Sequence, residues 1–378
     1  MGTTLVPGLG STLPIANGGT AATTAAGARA ALLIPNKNFL IGCMRVSQRG
    51  TTFDATPTVP PNNDDTFLLD RWNLLSDGND IVDVTQDVTV ADLMNGSVQV
   101  AAACIRLDVE KANKQFGIAQ YLEYKDAAAI IGGNVSLSFQ AKVSNARIGT
   151  IRAAILSWSF TADTITSDFV SAWNAGANIT PLAPNWTIEG SAQFSPTTSW
   201  ATYKLENVAI DTASTANVAV FIWCDDQTNP LAGDFLYITN VQLEKSAVAT
   251  EFENRPISQE IGLCERYCQF VGRSVQYSAP PFGVCNAAAG KTLVAQHIFP
   301  RMRAKPVPTL MGATSDVYAY VYATSTGYAA TTISIVATDN MSLLLYYTYI
   351  TSAVFTVQLP YFIYFNTTTS GILLEAEL

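Results

Sequence analysis

The chain has 378 residues, 13% of them charged and 48% hydrophobic, with a formal net charge of −9 and a pI near 4.7. That length predicts two or three domains, and the acidic balance rules out a sequence-independent grip on nucleic acid. Mean hydropathy is +0.20, and no apolar run approaches the roughly 18 residues of a membrane helix, so neither disorder nor membrane insertion is expected.

Residues 1–36 are poor in charge and rich in Gly, Ala and Thr. Gly18-Gly19 breaks the chain, and Thr20 is placed to cap a short Ala-rich helix. With so little apolar side chain the segment orders only against copies of itself or a partner. The opening Met1-Gly2-Thr3-Thr4-Leu5-Val6-Pro7 lacks the basic and apolar regions of a signal peptide, so synthesis in the cytoplasm is expected.

A first β body is predicted over 37–253. Its Pro-rich stretch 56–65 reads as a surface loop and Trp72 as a core residue. Ala103, Ile105, Leu107 and Val109 alternate with polar partners, as do Phe116, Ile118, Leu122 and Tyr124 around Gln120. Residues 134–143 alternate without error; Ala154, Leu156, Trp158 and Phe160 share a face; 200–210 and 217–224 add two more strands. The closing strand sends Val241 and Leu243 to one side and Asn240, Gln242 and Glu244 to the other. Strands and loops with no helical period between them predict an antiparallel sandwich. A long insertion at 161–196 carries Phe169, Trp173, Trp186 and Phe194. Those rings either stack on a glycan or pin the loop down, against the body or a neighbouring subunit.

Asn254-Arg255-Pro256 ends that body. Ile257, Ile261, Cys264, Cys268 and Val271 follow at spacings of 4, 3, 4 and 3, which predicts a helix of about fifteen residues with an oligomer seam along one face. A C-terminal β domain completes the reading over 254–378. There Tyr318, Tyr320 and Tyr322 share one face of a strand against Val317, Ala319 and Val321, and Phe355, Val357, Leu359, Tyr361, Ile363 and Phe365 form an apolar stripe. The tyrosine ladder is either a receptor-binding platform or a face between subunits.

Reactive constellations are scarce. The carboxylate pairs Asp64/Asp65 and Asp225/Asp226 are adjacent in sequence, so on extended chain they point apart and suit turns better than catalysis. His297 sits among apolar residues with no nucleophile motif beside it. Cys43, Cys104, Cys224, Cys264, Cys268 and Cys285 are scattered, and with a single histidine they complete no ordinary zinc site. Buried free thiols are expected, with no metal, no cofactor and no catalysis.

Pro14-Ile15-Ala16-Asn17-Gly18-Gly19-Thr20 is similar to an element near the front of many tail fibres, with Ala21 in place of its last glycine. Asn38 to Gly42, Gln48-Arg49-Gly50-Thr51 and Asp70-Arg71-Trp72 resemble the opening of virion-associated sandwich domains. The run Phe252-Glu253, Arg255-Pro256, Glu260, Leu263-Cys264, Arg266-Tyr267-Cys268-Gln269 resembles a junction recurrent in phage fibres, Cys268 replacing a tyrosine. Phe299-Pro300, Met302-Arg303-Ala304 and the terminal Glu375-Ala376-Glu377-Leu378 resemble strands that follow it. Within the first body, Ser138-Phe139-Gln140-Ala141-Lys142, Ser199-Trp200, Tyr203 and 237–244 resemble the jelly-roll of carbohydrate-binding modules. Many such modules have an acidic residue beside a structural calcium in the closing strand; Thr239-Asn240 stand there, so calcium is not expected.

The resemblance implies a homotrimeric virion fibre attached to tail or other virion proteins through 1–36, with Pro14, Asn17, Gly18, Gly19 and Thr20 as attachment residues. It implies non-catalytic binding of a host surface polysaccharide or receptor, with Tyr318, Tyr320, Tyr322, Trp173 and Trp186 as candidates. A purely structural neck, head or baseplate component is the alternative, and a polysaccharide depolymerase the third reading.

Overall fold

The computed structural model describes residues 38–56, 60–174, 182–224, 230–272, 282–285, 291–322, 324–349 and 353–378. The attachment residues Pro14, Asn17, Gly18, Gly19 and Thr20, and the pair Asp225/Asp226, lie outside them. The chain divides into two units, Met1–Cys43 with Val88–Arg255, and Met44–Asp87 with Pro256–Leu378. The second unit therefore draws residues 44–87 from the body expected at 37–253. No described helix is long and apolar enough to cross a membrane. All six cysteines are buried.

The second unit begins with four short strands, β1 (Thr52–Phe53), β2 (Thr66–Phe67), β3 (Asn73–Ser76) and β4 (Val82–Asp87); β1 pairs with β4 and β2 with β3. The first unit then contributes a small hairpin, β5 (Met94–Asn95) and β6 (Val98–Gln99), followed by β7 (Cys104–Val109) and β8 (Phe116–Leu122). A single helical turn, α1 (Tyr124–Ala127), comes next, and it exposes Tyr124, which the alternation had extended into the strand. The long strands are β9 (Asn134–Val143), β10 (Ile151–Trp158), β11 (Trp186–Phe194), β12 (Ala201–Ala209), β13 (Asn217–Cys224) and β14 (Phe235–Glu244). Within this unit they run antiparallel in the orders β7-β14-β9-β12 and β11-β10-β13-β8. Phe139 on β9 meets Phe194 on β11 edge-on at 5.8 Å, so rings bridge the layers of a β-sandwich.

The closing strand β14 departs from simple alternation. Its register with β9 shifts between Thr239 and Gln242, with Asn240 left-handed at φ 50, a β-bulge that sheet pairing tolerates at Asn better than at branched residues. Gln242 and Glu244, expected to face water, are buried. The reason is the tail after the strand, which folds back: the Thr250 amide donates to Glu244 at 2.7 Å and the Glu253 amide to Gln242 at 2.8 Å. Asn38 stitches the opposite edge, accepting from Leu243 N at 3.1 Å and donating to Val241 O at 3.1 Å.

Ahead of β14, Asp234 accepts from Arg147 Nε at 2.9 Å, from Asn145 Nδ2 at 2.6 Å and from the Leu231 amide at 2.9 Å. The Arg147 hydrogen bonds outweigh burial and bring the Asp234 carboxyl from the ordinary 3.8 to about 2. A folded-state value below the unfolded one means stability present above about pH 4 and lost as pH falls toward 2. Asp234→Asn is therefore expected to flatten the acid limb of a urea-denaturation stability profile between those values, with little change at pH 7 in the slope.

In the second unit α2 (Ile257–Glu265) starts after Pro256, as expected. The five residues of the predicted seam do not share this helix. The helix stops at Glu265, and β15 (Cys268–Val271) pairs with the C-terminal strand β24 (Gly371–Glu375), so Cys268 and Val271 belong to a sheet. Two facts explain the stop: strand pairing takes up the backbone from Cys268, and Gln269 Nε2 donates to the Glu265 carbonyl at 2.8 Å, a group the helix end leaves unpaired. On α2 itself Cys264 and Glu260 are buried while Ile257 and Ile261 are exposed.

The remaining strands are β16 (Phe282–Cys285), β17 (Thr292–Ile298), β18 (Val307–Met311), β19 (Val317–Val321), β20 (Thr326–Ala329), β21 (Thr332–Ala337), β22 (Ser342–Thr348) and β23 (Pro360–Phe365). They make a three-stranded sheet, β15-β24-β18, and a seven-stranded sheet, β20-β19-β23-β16-β17-β22-β21. Leu293, Leu343, Leu345, Ile363, Phe365, Ile372 and Leu374 build a shared core from both. Of the apolar stripe expected at 355–365, only its second half is strand; Val357 and Leu359 are exposed.

A buried ionic network ties residues 48–71 of this unit to its C-terminus. Arg49 Nε meets Glu375 at 2.7 Å, Arg49 Nη2 meets Glu377 at 3.1 Å, and Arg71 Nη1 meets Glu377 at 2.5 Å. The Arg71 guanidinium lies 3.4 Å from the centre of the Tyr267 ring, and Arg303 Nη2 donates to the Glu377 carbonyl at 2.7 Å. Gln48 grips both oxygens of Asp70, at 2.8 and 2.7 Å.

Candidate functional site

The seven-stranded sheet presents an aromatic surface on the side away from its core. Along β19, Val317, Ala319 and Val321 are buried while Tyr318 and Tyr320 stand half-buried on the other side, as the alternation predicts. Tyr322, in the turn just beyond, is 68% exposed. Antiparallel register sets Tyr318 opposite Tyr364 and Tyr320 opposite Phe362 on β23. The rings associate: Tyr318 stacks on Tyr364 at 5.6 Å, Tyr320 meets Tyr322 edge-on at 5.1 Å, and Tyr322 leans on Phe362 at 5.7 Å. Gly327 on β20 pairs with Tyr320, and a Cβ there would lie 2.3 Å from the Tyr364 hydroxyl. That glycine makes room for the ladder.

Along the described strands the same side continues without a charged residue. Register carries it through Val284 and Val294 to Tyr346, and through Gln296 and Leu344 to Val336. Val284, Val336 and Tyr346 are exposed. Such a face offers rings for stacking and phenol hydroxyls for hydrogen bonding. It suits binding.

The tryptophans of the insertion behave differently. Trp186 is 5% exposed, 5.4 Å from both Trp158 and Phe169 and 6.3 Å from Tyr121, with its Nε1 donating to the Thr166 carbonyl at 2.9 Å. Phe169 packs edge-on against Phe221 at 5.2 Å. These rings cover β8, β13 and β10, which explains why β10 and β13 are buried on both faces. The described part of the insertion is pinned to its own body, and Trp186 is a core ring. Trp173, half-buried, lies 6.0 Å from Phe221 on the same cover.

Asp64 and Asp65 hold turns, accepting from the Ser76 amide at 2.7 Å and from Asn73 Nδ2 at 2.8 Å. Burial lowers the affinity of His297 for a proton, and its ring sits 6.4 Å from Phe299. Phe362 and Tyr364 were missed in the sequence, although they occupy the alternate positions of the stripe that names Tyr361, Ile363 and Phe365.

No family model and no curated protein matches the chain. Among solved structures it is similar to TmCBM61 in complex with β-1,4-galactotriose, at 14% identity and a TM-score of 0.31, covering 56% of this chain and 99% of that one. It is similar to the C-terminal family 22 carbohydrate-binding module of Clostridium thermocellum Xyn10B, at 12% identity and a TM-score of 0.30, covering 48% and 89%. A third likeness is to the enzymatically active domain of bacteriophage CBA120 tailspike protein 4, at 16% identity and a TM-score of 0.28, covering 46% of this chain and 19% of that one.

Proposed function

We propose that the chain is a non-catalytic bacteriophage fibre component, borne on the virion, that holds a host surface glycan on the aromatic face of its second unit. The observation that carries this is the contiguous, uncharged and part-exposed row Tyr318, Tyr320, Tyr322, Phe362 and Tyr364. Flat rings match the apolar faces of pyranoses, and phenol hydroxyls reach their edges. Attachment through residues 1–36 and assembly as a trimer belong to the same reading and rest on the motifs.

Tyr322→Ala tests it, because so exposed a ring contributes little to folding. Calorimetric titration against bacterial surface polysaccharides is expected to show binding that the variant weakens about tenfold, roughly 1.4 kcal/mol, at unchanged melting temperature. A polysaccharide bound equally well by both proteins removes the site from this face. The aliphatic half of the face, with Val284 and Val336 exposed, favours a second reading in which it packs on another virion protein. In that case no polysaccharide binds at all.

A further inference from the structure

We infer that the glycan segment seated on the aromatic row is neutral, a chain of hexoses or deoxyhexoses with no carboxylate, sulfate or phosphate against the rings. The inference rests on the glycan reading and names the class of sugar that this face admits.

An anion taken from water onto apolar rings is strongly disfavoured unless a charged partner meets it, and Arg or Lys is the usual one. The row has no such partner on its own strands. Residues 306–378, which supply every ring of the row, contain no Lys, Arg or His. β16, the strand beside β23, contains none either. The next basic residues in this sheet, Lys291 and Arg301, flank β17, two strands from β23. Register sets Val294 level with Val284 and Pro360. Lys291 lies beyond that level, on the side away from Phe362 and about 17 Å from it along the strands. Arg301 sits between Phe299 and Met302, whose amides donate to Met341 and Asn340 in the turn from β21 to β22, on the side of β17 away from β23.

The charge that borders the row is negative. Asp316 precedes β19, and its carboxylate accepts from Ser370 Oγ at 2.7 Å and from the Ala313 amide at 2.9 Å. The whole chain has a net charge of −9, so an anionic sugar is repelled at long range and unpaired at contact. A neutral pyranose meets neither obstacle. Spacing also sets a minimum length. The Tyr318–Tyr364 pair and the group of Tyr320, Tyr322 and Phe362 are offset by two residues along β19, about 6.8 Å. Two sugar rings in succession are needed to cover both, each stacked on an aromatic face with its hydroxyls left for the phenol oxygens.

The test is adsorption of the labelled full chain to bacteria that carry a surface polysaccharide, competed by the polysaccharide released from the same cells. The competitor is used as released and after its carboxylates have been reduced to primary alcohols. The expected result is competition at least as strong after reduction as before it. Adsorption is also expected to change less than about twofold between about 20 and 500 mM NaCl, because salt screens ion pairs and leaves stacking in place. Weaker competition after reduction, or a larger fall in adsorption at high salt, overturns the neutral class. The glycan reading survives that outcome as long as Tyr322→Ala still weakens adsorption. A competitor inert in both forms overturns the glycan reading and this inference together.

Discussion

Replacing Glu377 by alanine is expected to destabilise the second unit by about 3–5 kcal/mol, the usual cost of removing one partner from a buried ion pair. Glu377 has a 5% exposed side chain and is shared by Arg49 and Arg71, whose side chains are 4% exposed each. Burial pushes its carboxyl up, yet Arg71 and Arg49 hold it below the usual carboxylate range, so it is charged and engaged at neutral pH. Without it two buried guanidiniums lose a counter-ion, and the desolvation already spent on them is no longer offset. Glu375 makes a useful contrast. Its side chain is 34% exposed and, among the described residues, pairs with Arg49, so Glu375→Ala is expected to cost about 1 kcal/mol or less. Urea denaturation of the two variants should separate by well over a kcal/mol. Equal losses would mean that the network is no more than surface pairing.

Gly42→Ala is expected to cost about 3 kcal/mol or more, at the upper end of overpacking effects. A Cβ at this position would lie 1.7 Å from the Val241 carbonyl oxygen, 2.6 Å from its carbon and 2.9 Å from its nitrogen. All three are backbone atoms of the closing strand, so no rotamer change relieves them. The Val241 amide also donates to the Gly42 carbonyl at 3.1 Å, and any retreat breaks that bond at the bulge. Gly262, on α2, is the control: a Cβ there meets nothing within 4 Å. Gly262→Ala is expected to raise stability by about 0.5–1 kcal/mol through helix propensity. If both substitutions moved the urea midpoint alike, the close approach of Gly42 to β14 would be wrong.

What was legible in the sequence is what local period encodes. The strand at Asn134–Val143 and the tyrosine ladder at β19 follow directly from alternation. The helix after Pro256 was legible at its start, but its end was not. Cys264, Cys268 and Val271 keep a helical spacing, and only the C-terminal strand, far away in sequence, decides that the last two pair as sheet. The same limit hid the ionic network. Arg49, Arg71, Arg303 and Glu377 all lie in stretches that stood out as motifs, yet nothing local says that they meet. Gln242 and Glu244 misled in a similar way, because polar residues on a strand read as solvent-facing until the 249–253 tail covers them. Trp186 read as a candidate ligand platform because a Gly-, Asn- and Pro-rich loop suggests exposure, whereas large rings gain most by packing on the sandwich beneath.

The central claim is glycan binding by the aromatic face, and adsorption to cells tests it most directly. The labelled full chain and its Tyr320→Ala variant would be titrated onto bacteria that carry, and bacteria that lack, a surface polysaccharide. The account predicts saturable adsorption to the first, competition by free polysaccharide, and at least tenfold weaker adsorption of a variant that melts as the wild type does. Adsorption that ignores both the polysaccharide and the variant, or its complete absence, would contradict the account and leave the face as an assembly surface.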